Sequence, residues 1–504
     1  MSVAENLHQD TPQEARQAAE HFDVLIVGAG ISGIDAAYHL QQDCPGKTFV
    51  LLETQETFGG TWATHKYPGI RSDSDLFTFG YSWKAWEGPL IASADEILKY
   101  LDDALDEQKI REHIRYQQQV MDASWSSEDK QWTLKVSDKE SGEDVVFTGN
   151  FLWMCQGYYR HSKGYTPDFP GMDRFKGQIV HPQTWPQDLD YDDKEVVVIG
   201  SGATAATLIP AMADDTKHIT MLQRSPTYFY ALPNRSVVRD MLLKIGVTKE
   251  WIHDIVRSDI LANQKVITQR SFDDSEALKN ELIAGARMHL GPDFDVEKHF
   301  TPSYRPWRQR LAVVPDGDLF QGIRSGQASV VTDQIETFTE DGILLKSGDE
   351  LKADIIVTAT GFNMSAMGDV NFVVDGEAID FADCWGHRTI QFSGVPNMAW
   401  VFGYLRASWT LRADLVAGYV CRLLNHMDDK GVTMVTPRLR DGDKQMQPLP
   451  FIDEDNFNAG YIMRKIHLMP RQGDKEPWVH SQDYFTEKDT IPSADLEDGT
   501  LIYQ

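Results

Sequence analysis

Cysteine is scarce: Cys44, Cys155, Cys384 and Cys421 are the four in 504 residues, with no CxxC spacing and no histidine cluster beside them. A zinc site or a local redox disulfide needs such spacing, so neither can be assembled from sequence neighbours, and no metal site is expected. Basic residues are also few, 48 against 76 acidic, for a formal charge of -28. A field of that sign repels phosphates and anionic lipid head groups, so neither nucleic acid nor a membrane surface is an expected partner. Long apolar runs are missing as well. No segment reaches the roughly 18 uncharged apolar residues that a membrane span requires. The opening stretch from Met1 to Phe22 has neither the basic start nor the apolar core of a signal peptide, so a cytoplasmic location is expected. Glycine (37) and proline (22) stay at ordinary levels beside 41% hydrophobic residues, which rules out collagen-like, disordered and low-complexity chains.

What is present is organised around two similar units. Asp23–Val27 reads as an apolar strand and Gly28-Ala-Gly-Ile-Ser-Gly33 as a turn; a small-residue helix follows, and Phe49–Glu53 is the next strand. Glu195–Ile199, Gly200-Ser-Gly-Ala-Thr-Ala205, a helix to about Met212 and His218–Leu222 repeat the pattern. Two βαβ units predict two parallel sheets. Between them, residues 120–149 alternate apolar and polar around Ser126–Lys130, which predicts an antiparallel meander. Leu278, Leu282, Ala286 and Leu290 recur behind Asp273-Asp274-Ser275 and stop at Gly291-Pro292, the pattern of a capped amphipathic helix within a helical insertion. Strands are expected again at 328–331, 343–345 and 354–361, and another helix at 410–427. At roughly 150 residues per domain the chain holds more than one core.

Each glycine turn follows a strand and opens a helix, where backbone N–H groups and the helix N-terminus meet a pyrophosphate. In the first copy Gly28 permits the turn, Gly30 lets the backbone approach the ligand, and Gly33 lets the helix pack close, with Ser32 in the same loop. Glu53 ends the next strand, where a carboxylate accepts hydrogen bonds from a ribose diol. In the second copy Gly200, Ser201, Gly202, Ala203, Thr204 and Ala205 form the turn, and the residue after the second strand is Arg224, followed by Ser225. A guanidinium there binds a 2'-phosphate that a carboxylate would repel. The pair predicts FAD at the first site and NADPH at the second. The fold class expected is α/β, with two Rossmann-like dinucleotide-binding domains and a helical insertion. The FAD domain is residues 1–155 with 358–504, the NADP domain 156–234 with 301–357, and the insertion 235–300. Disulfide reductases of this plan need a close cysteine pair, which is missing, so dioxygen is the expected electron acceptor.

Two stretches carry a family pattern. Phe175-Lys-Gly177-Gln-Ile-Val-His181-Pro-Gln-Thr-Trp185-Pro186 fits FxGxxxHxxxW followed by Pro, and Gly59-Gly60-Thr61-Trp62 through Tyr67-Pro68-Gly69 to Asp73 fits [AG]GxWx4[YF]P[GM]x3D. The chain resembles the class B (type I) Baeyer-Villiger monooxygenases over nearly its whole length. Tyr304-Arg-Pro-Trp307 and Ala407-Ser-Trp-Thr-Leu411 are similar to the ethionamide-activating branch. That resemblance implies an enzyme that oxidises ketones to esters through a C4a-peroxyflavin and also oxidises sulfide sulfur; a monomer is expected. It implies Arg310 as the catalytic cation, with Arg305 and Arg308 close by in sequence, and Asp73 as the anion that orients it. It further implies FAD contacts at Thr61, Trp62, Asp73, Val120, Thr360 and Gly361, and NADP contacts at Arg71, His181 and Trp185. Pro182 and Pro186 disfavour helix at His181 and Trp185, so the motif is expected as an extended linker coupling NADP binding to domain rotation. One departure is Met154-Cys155-Gln156-Gly157, where many relatives have Ala-Thr-Gly. The enzyme alternative is a flavin-containing N/S-monooxygenase, against which Trp185 and Arg310 argue. A non-catalytic nucleotide sensor is a third.

Overall fold

A computed structural model describes residues 19–504; the signal-peptide reading falls largely on residues 1–18, outside the described part. Strand Glu20–Val27 lies central in a nine-stranded sheet, paired in parallel with Phe49–Leu52 on one side and Asp144–Met154 on the other. Its last four residues are buried, as an apolar run flanked by strands on both sides requires. Gln118–Ser126 and Gln131–Asp138 form the expected meander, joined antiparallel to Asp144–Met154. The meander is therefore part of the first sheet, which is mixed rather than purely parallel. Met398–Trp400 and Asn371–Val374 add two further parallel pairings from the C-terminal part of the chain.

The second sheet has five strands, all parallel, in the order Ala328–Thr332, His218–Gln223, Glu195–Ile199, Ile355–Thr358, Gln178–Val180. Gln178–Val180 lies in the stretch expected to be linker; it gains backbone partners as an edge strand instead. His181 and Trp185 have extended dihedrals on either side of a short 3-10 turn, Pro182–Thr184.

Packing ties distant parts of the first unit. Helix Ile31–Asp43 shares one core with helix Thr410–Lys430, through Ile34, Ala37 and Leu40 on one side and Val416, Val420 and Leu424 on the other. Trp132, Trp153 and Trp400 are fully buried, and Trp132 donates to the carbonyls of Pro396 and Asn397 at 3.2 and 3.1 Å. Truncating such a side chain to alanine costs about 3–5 kcal/mol.

Residues 235–300, expected as an insertion, hold helices Val237–Lys244, Lys249–Asp273, Ser275–Leu290 and Val296–Phe300. Helix Ser275–Leu290 buries Leu278, Leu282, Ala286 and Leu290 as the spacing predicts, and Gly291 ends it at φ 91°. Its start differs from the expectation: Asp274 makes no side-chain cap bond, because the preceding helix runs directly into it.

Candidate active site

The carboxyl ends of the first sheet's parallel strands open onto a cavity of about 440 Å³. Gly28, Gly30 and Ser32 of the first loop line it, with Glu53, Thr61, Trp62, Asp73, Val120 and Arg310. Gly28 adopts φ +103°, and a Cβ on it would lie 2.8 Å from the Cys155 carbonyl oxygen. Gly33 lies beneath the loop, where a Cβ would come within 1.9 Å of the Gly28 carbonyl oxygen. It sets the helix against the strand rather than facing the ligand.

The cavity fits a flavin dinucleotide. Gly30 and Gly60 lie against each other in its wall: a Cβ on Gly60 would stand 3.3 Å from the Gly30 Cα. Glu53 accepts the Ala29 N–H through Oε2 and the Gln55 N–H through Oε1, both at 2.8 Å. Burial pushes its pKa up, and the same N–H groups oppose that. The carboxylate thus fastens the glycine loop and keeps lone pairs for a diol.

Asp73 and Arg310 come together from positions far apart in the chain. Arg310 Nε lies 2.5 Å from Asp73 Oδ2, and Nη2 donates to Oδ1 at 2.7 Å and to Ser74 Oγ at 3.3 Å. Burial lowers the arginine's pKa, but the Asp73 carboxylate together with Tyr461, Tyr158 and Tyr159 outweighs it and holds the cation above its usual range. Asp75, two residues on, caps helix Leu76–Phe79 through the Thr78 N–H, which leaves Asp73 free for the arginine. The neighbouring cations are engaged elsewhere: Arg308 pairs with Asp455 at 3.1 Å, and Arg305 lies 4.3 Å over the Phe272 ring.

The second glycine loop does not line this cavity. A Cβ on Gly200 would strike the Ala359 carbonyl at 2.4 Å, whereas Gly202, which precedes Ala203, Thr204 and Ala205 of the helix, has open space. Ser201 Oγ bonds Thr227 Oγ1 at 2.9 Å and the Ser225 carbonyl at 3.5 Å, and Arg224 is exposed at the strand end. Arg71 pairs with Asp318 through Nη1 and Nη2, at 2.5 and 3.2 Å, and lines a second cavity that neither glycine loop lines. Thr360 and Gly361 stand at the crossover between the two sheets. Thr360 Oγ1 donates to the Tyr165 carbonyl at 2.6 Å, and Gly361 accepts from His181 Nε2 at 3.1 Å. His181 Nδ1 accepts the Gln183 N–H at 3.1 Å, so the ring proton is assigned to Nε2; burial lowers the pKa and favours the neutral ring. Trp185 packs into the core of the second unit.

Sequence reasoning missed an aromatic wall. Tyr158, Tyr159 and Trp409 line the cavity beside Arg310. The two phenols share a hydrogen bond at 2.7 Å, Tyr158 stacks on Trp409 at 5.1 Å, and Trp409 donates to Ser32 Oγ at 2.7 Å. Burial raises both phenol pKa values well above normal, so they stay neutral donors. The signal was adjacent: the tyrosines follow Cys155-Gln156-Gly157, the stretch that departs from Ala-Thr-Gly.

One histidine–carboxylate group with metal-like spacing occurs among the described residues, Asp35, His39 and Asp414. His39 Nε2 lies 3.0 Å from Asp414 Oδ1, Nδ1 lies 3.3 Å from Asp43 Oδ2, and Trp83 donates to Asp35 at 2.9 Å. Burial opposes the imidazolium, but its carboxylate partners raise its pKa to about 9. The protonated ring itself supplies the positive charge that these carboxylates need.

A family model described as flavin-binding monooxygenase-like matches residues 87–273, and one described as an NAD(P)-binding Rossmann-like domain matches residues 26–100. The FAD-containing monooxygenase EthA of Mycolicibacterium smegmatis is 47% identical over 486 residues, covering 96% of this chain and 97% of that protein. In fold, cyclohexanone monooxygenase bound to epsilon-caprolactone aligns with a TM-score of 0.70 at 20% identity, over 84% of this chain and 91% of that one. Steroid monooxygenase bound to NADP aligns with a TM-score of 0.68 at 23% identity, over 84% and 88%. With 47% identity over nearly the whole length of both chains, this protein belongs to the family of FAD-containing monooxygenases that includes EthA.

Proposed function

We propose that this flavoprotein uses NADPH and dioxygen to insert an oxygen atom beside a carbonyl, converting ketones to esters, and that sulfide sulfur is its second class of substrate. The observation that carries the reading is the Asp73–Arg310 pair on the wall of the flavin-sized cavity. Bound FAD supplies the redox chemistry that carries electrons from NADPH to dioxygen. Gly28, Gly30, Ser32, Glu53, Thr61, Trp62 and Val120 hold it in the cavity. Arg310 stabilises negative charge on the oxygen of a carbonyl under attack, because its guanidinium does not lose its proton at working pH. Asp73 keeps that charge oriented through Nε and Nη2. The Tyr158–Tyr159 pair and Trp409 enclose the same space, raising the strength of each electrostatic contact by excluding water.

The second glycine loop and Arg224 hold NADPH in this reading, and His181 and Trp185 link that site to the crossover at Gly361. The same reading assigns residues 1–155 with 358–504 to FAD, 156–234 with 301–357 to NADP, and 235–300 to the insertion. Incubating the protein with NADPH, labelled dioxygen and linear, cyclic and aryl ketones, then identifying products by mass, tests it. Labelled ester is expected. NADPH oxidation with peroxide and no ester from any ketone would overturn the reading.

A further inference from the structure

The charge count of the whole chain conceals one patch of different character. Among the described residues 15 large hydrophobic side chains stand exposed, and five cluster in the short span from Val237 to Trp251: Val237, Met241, Leu243, Ile245 and Trp251, each between 49 and 71% exposed. They belong to helix Val237–Lys244, the turn after it and the first turn of helix Lys249–Asp273. The short helix is apolar on two faces. Val238 and Leu242 face inward onto Phe77, Ile252 and Val256, while Val237 and Met241 face out. A helix apolar on both faces is normally covered on both.

The charges in this span differ from those of the molecule as a whole. Within the span Arg235, Arg239, Lys244 and Lys249 stand against Asp240 and Glu250; Arg239 pairs with Asp240 at 3.6 Å and Lys249 with Glu87 at 3.1 Å, which leaves Arg235 and Lys244 as the cations of the span without an ion pair among the described residues, in a protein of charge -28. The eight-residue helix, about 12 Å long, is too short to cross a bilayer. Apolar side chains with an indole and a basic rim are the composition of a segment that lies in the lipid interface. A second copy of the chain is a poorer occupant. An isologous contact would set the patch against itself and bring like charges from Arg235 and Lys244 together.

We infer that the outer face of residues 235–251 docks on a lipid bilayer, with Met241, Ile245 and Trp251 inserted among the head groups and the surrounding cations against anionic lipid. Repulsion by the rest of the molecule is screened over about 8 Å at physiological salt, so contact at the patch outweighs it. The platform is joined to the active cavity. Ile252 and Val256 pack on Phe77, and Arg257 donates to the carbonyls of Phe77 and Gly80 at 2.7 and 3.2 Å, holding the helix that follows Asp73. Docking therefore sets the cavity wall beside the membrane, whichever apolar molecule the enzyme oxidises.

Flotation of the full-length, FAD-loaded protein with vesicles tests this. The vesicles are phosphatidylcholine alone or phosphatidylcholine with phosphatidylglycerol, at low and high salt. The protein is expected to float with both, more strongly with phosphatidylglycerol at low salt. Met241→Ser combined with Ile245→Ser and Trp251→Ser should cut partition by about tenfold or more while flavin content and thermal midpoint hold. Arg235→Glu with Lys244→Glu should remove only the gain from anionic lipid. Failure to float with either vesicle, or a triple serine variant that floats like the parent, overturns the inference. A parent that binds no vesicle but elutes as a dimer, with the triple variant a monomer, also overturns it and assigns the face to a second copy.

Discussion

Arg310 is held by two bonds to one carboxylate, and that geometry separates its work from simple flavin reduction. Arg310→Ala should leave FAD bound and reducible by NADPH while ester formation falls about 10²- to 10³-fold, with peroxide released instead. Stopped-flow reduction paired with product analysis checks this; labelled ester at the parent rate would return the role to another cation. Asp73→Ala should act in the same direction but more weakly, since the cation remains. Arg224 makes a different prediction. Losing a charge-assisted bond to a 2'-phosphate costs about 1.5–3 kcal/mol, so Arg224→Ala should weaken NADPH far more than NADH in steady-state assays. Equal effects on both cofactors would show that Arg224 does not read the phosphate. Arg224 could be placed from sequence because a residue just past a strand end has one local address. Arg310 could not be told from Arg305 and Arg308 without the family pattern, since only tertiary contacts send the other two to Phe272 and Asp455.

The first strand, glycine loop and helix act as one unit. Gly33→Ala would push a methyl into the Gly28 carbonyl, so the helix must move away from the strand. Reduced flavin content and a lower thermal midpoint are expected, measured by the absorbance ratio of the purified protein and by thermal melting. Gly202→Ala, with nothing within 4 Å of its Cβ, should cost little stability and instead affect NADPH binding. The contrast distinguishes a glycine needed for packing from one that keeps space for a ligand. Periodicity located these elements well because burial on both sides of a central strand leaves an apolar run, and a half-buried helix leaves a repeat of four. Pro182 and Pro186 marked the motif as extended, but a three-residue edge strand is too short to show a period, so the pairing of Gln178–Val180 was not legible. Periodicity overstated the cap at Asp274, since a helix starting directly after another needs no separate cap.

Across the whole molecule, His39 links the first helix to the helix near the C-terminus, with Asp35, Asp43, Asp414 and Ser82 packed around that contact. Its pKa rises from 6.5 to about 9 on folding, so the contribution it draws from Asp414 and Asp43 is present below 6.5 and is lost as pH rises through about 9, while the share from Asp35, pushed up to about 7 by burial and Asp414, fades below that pH. His39→Gln should therefore lower the thermal midpoint most near pH 6.5, with the gap to the parent closing above about 9. A gap independent of pH would assign His39 to packing alone. By itself the sequence determined the two βαβ units and their glycine turns, because these follow from residues adjacent in the chain, and the proposed cofactor order rests on the same local addresses of Glu53 and Arg224. Only the tertiary structure decided that Asp73 reaches Arg310, that Tyr158, Tyr159 and Trp409 wall the cavity, and that the meander joins the first sheet. Those contacts join segments tens to hundreds of residues apart, and no local period or spacing records which distant side chains share a space once the chain closes.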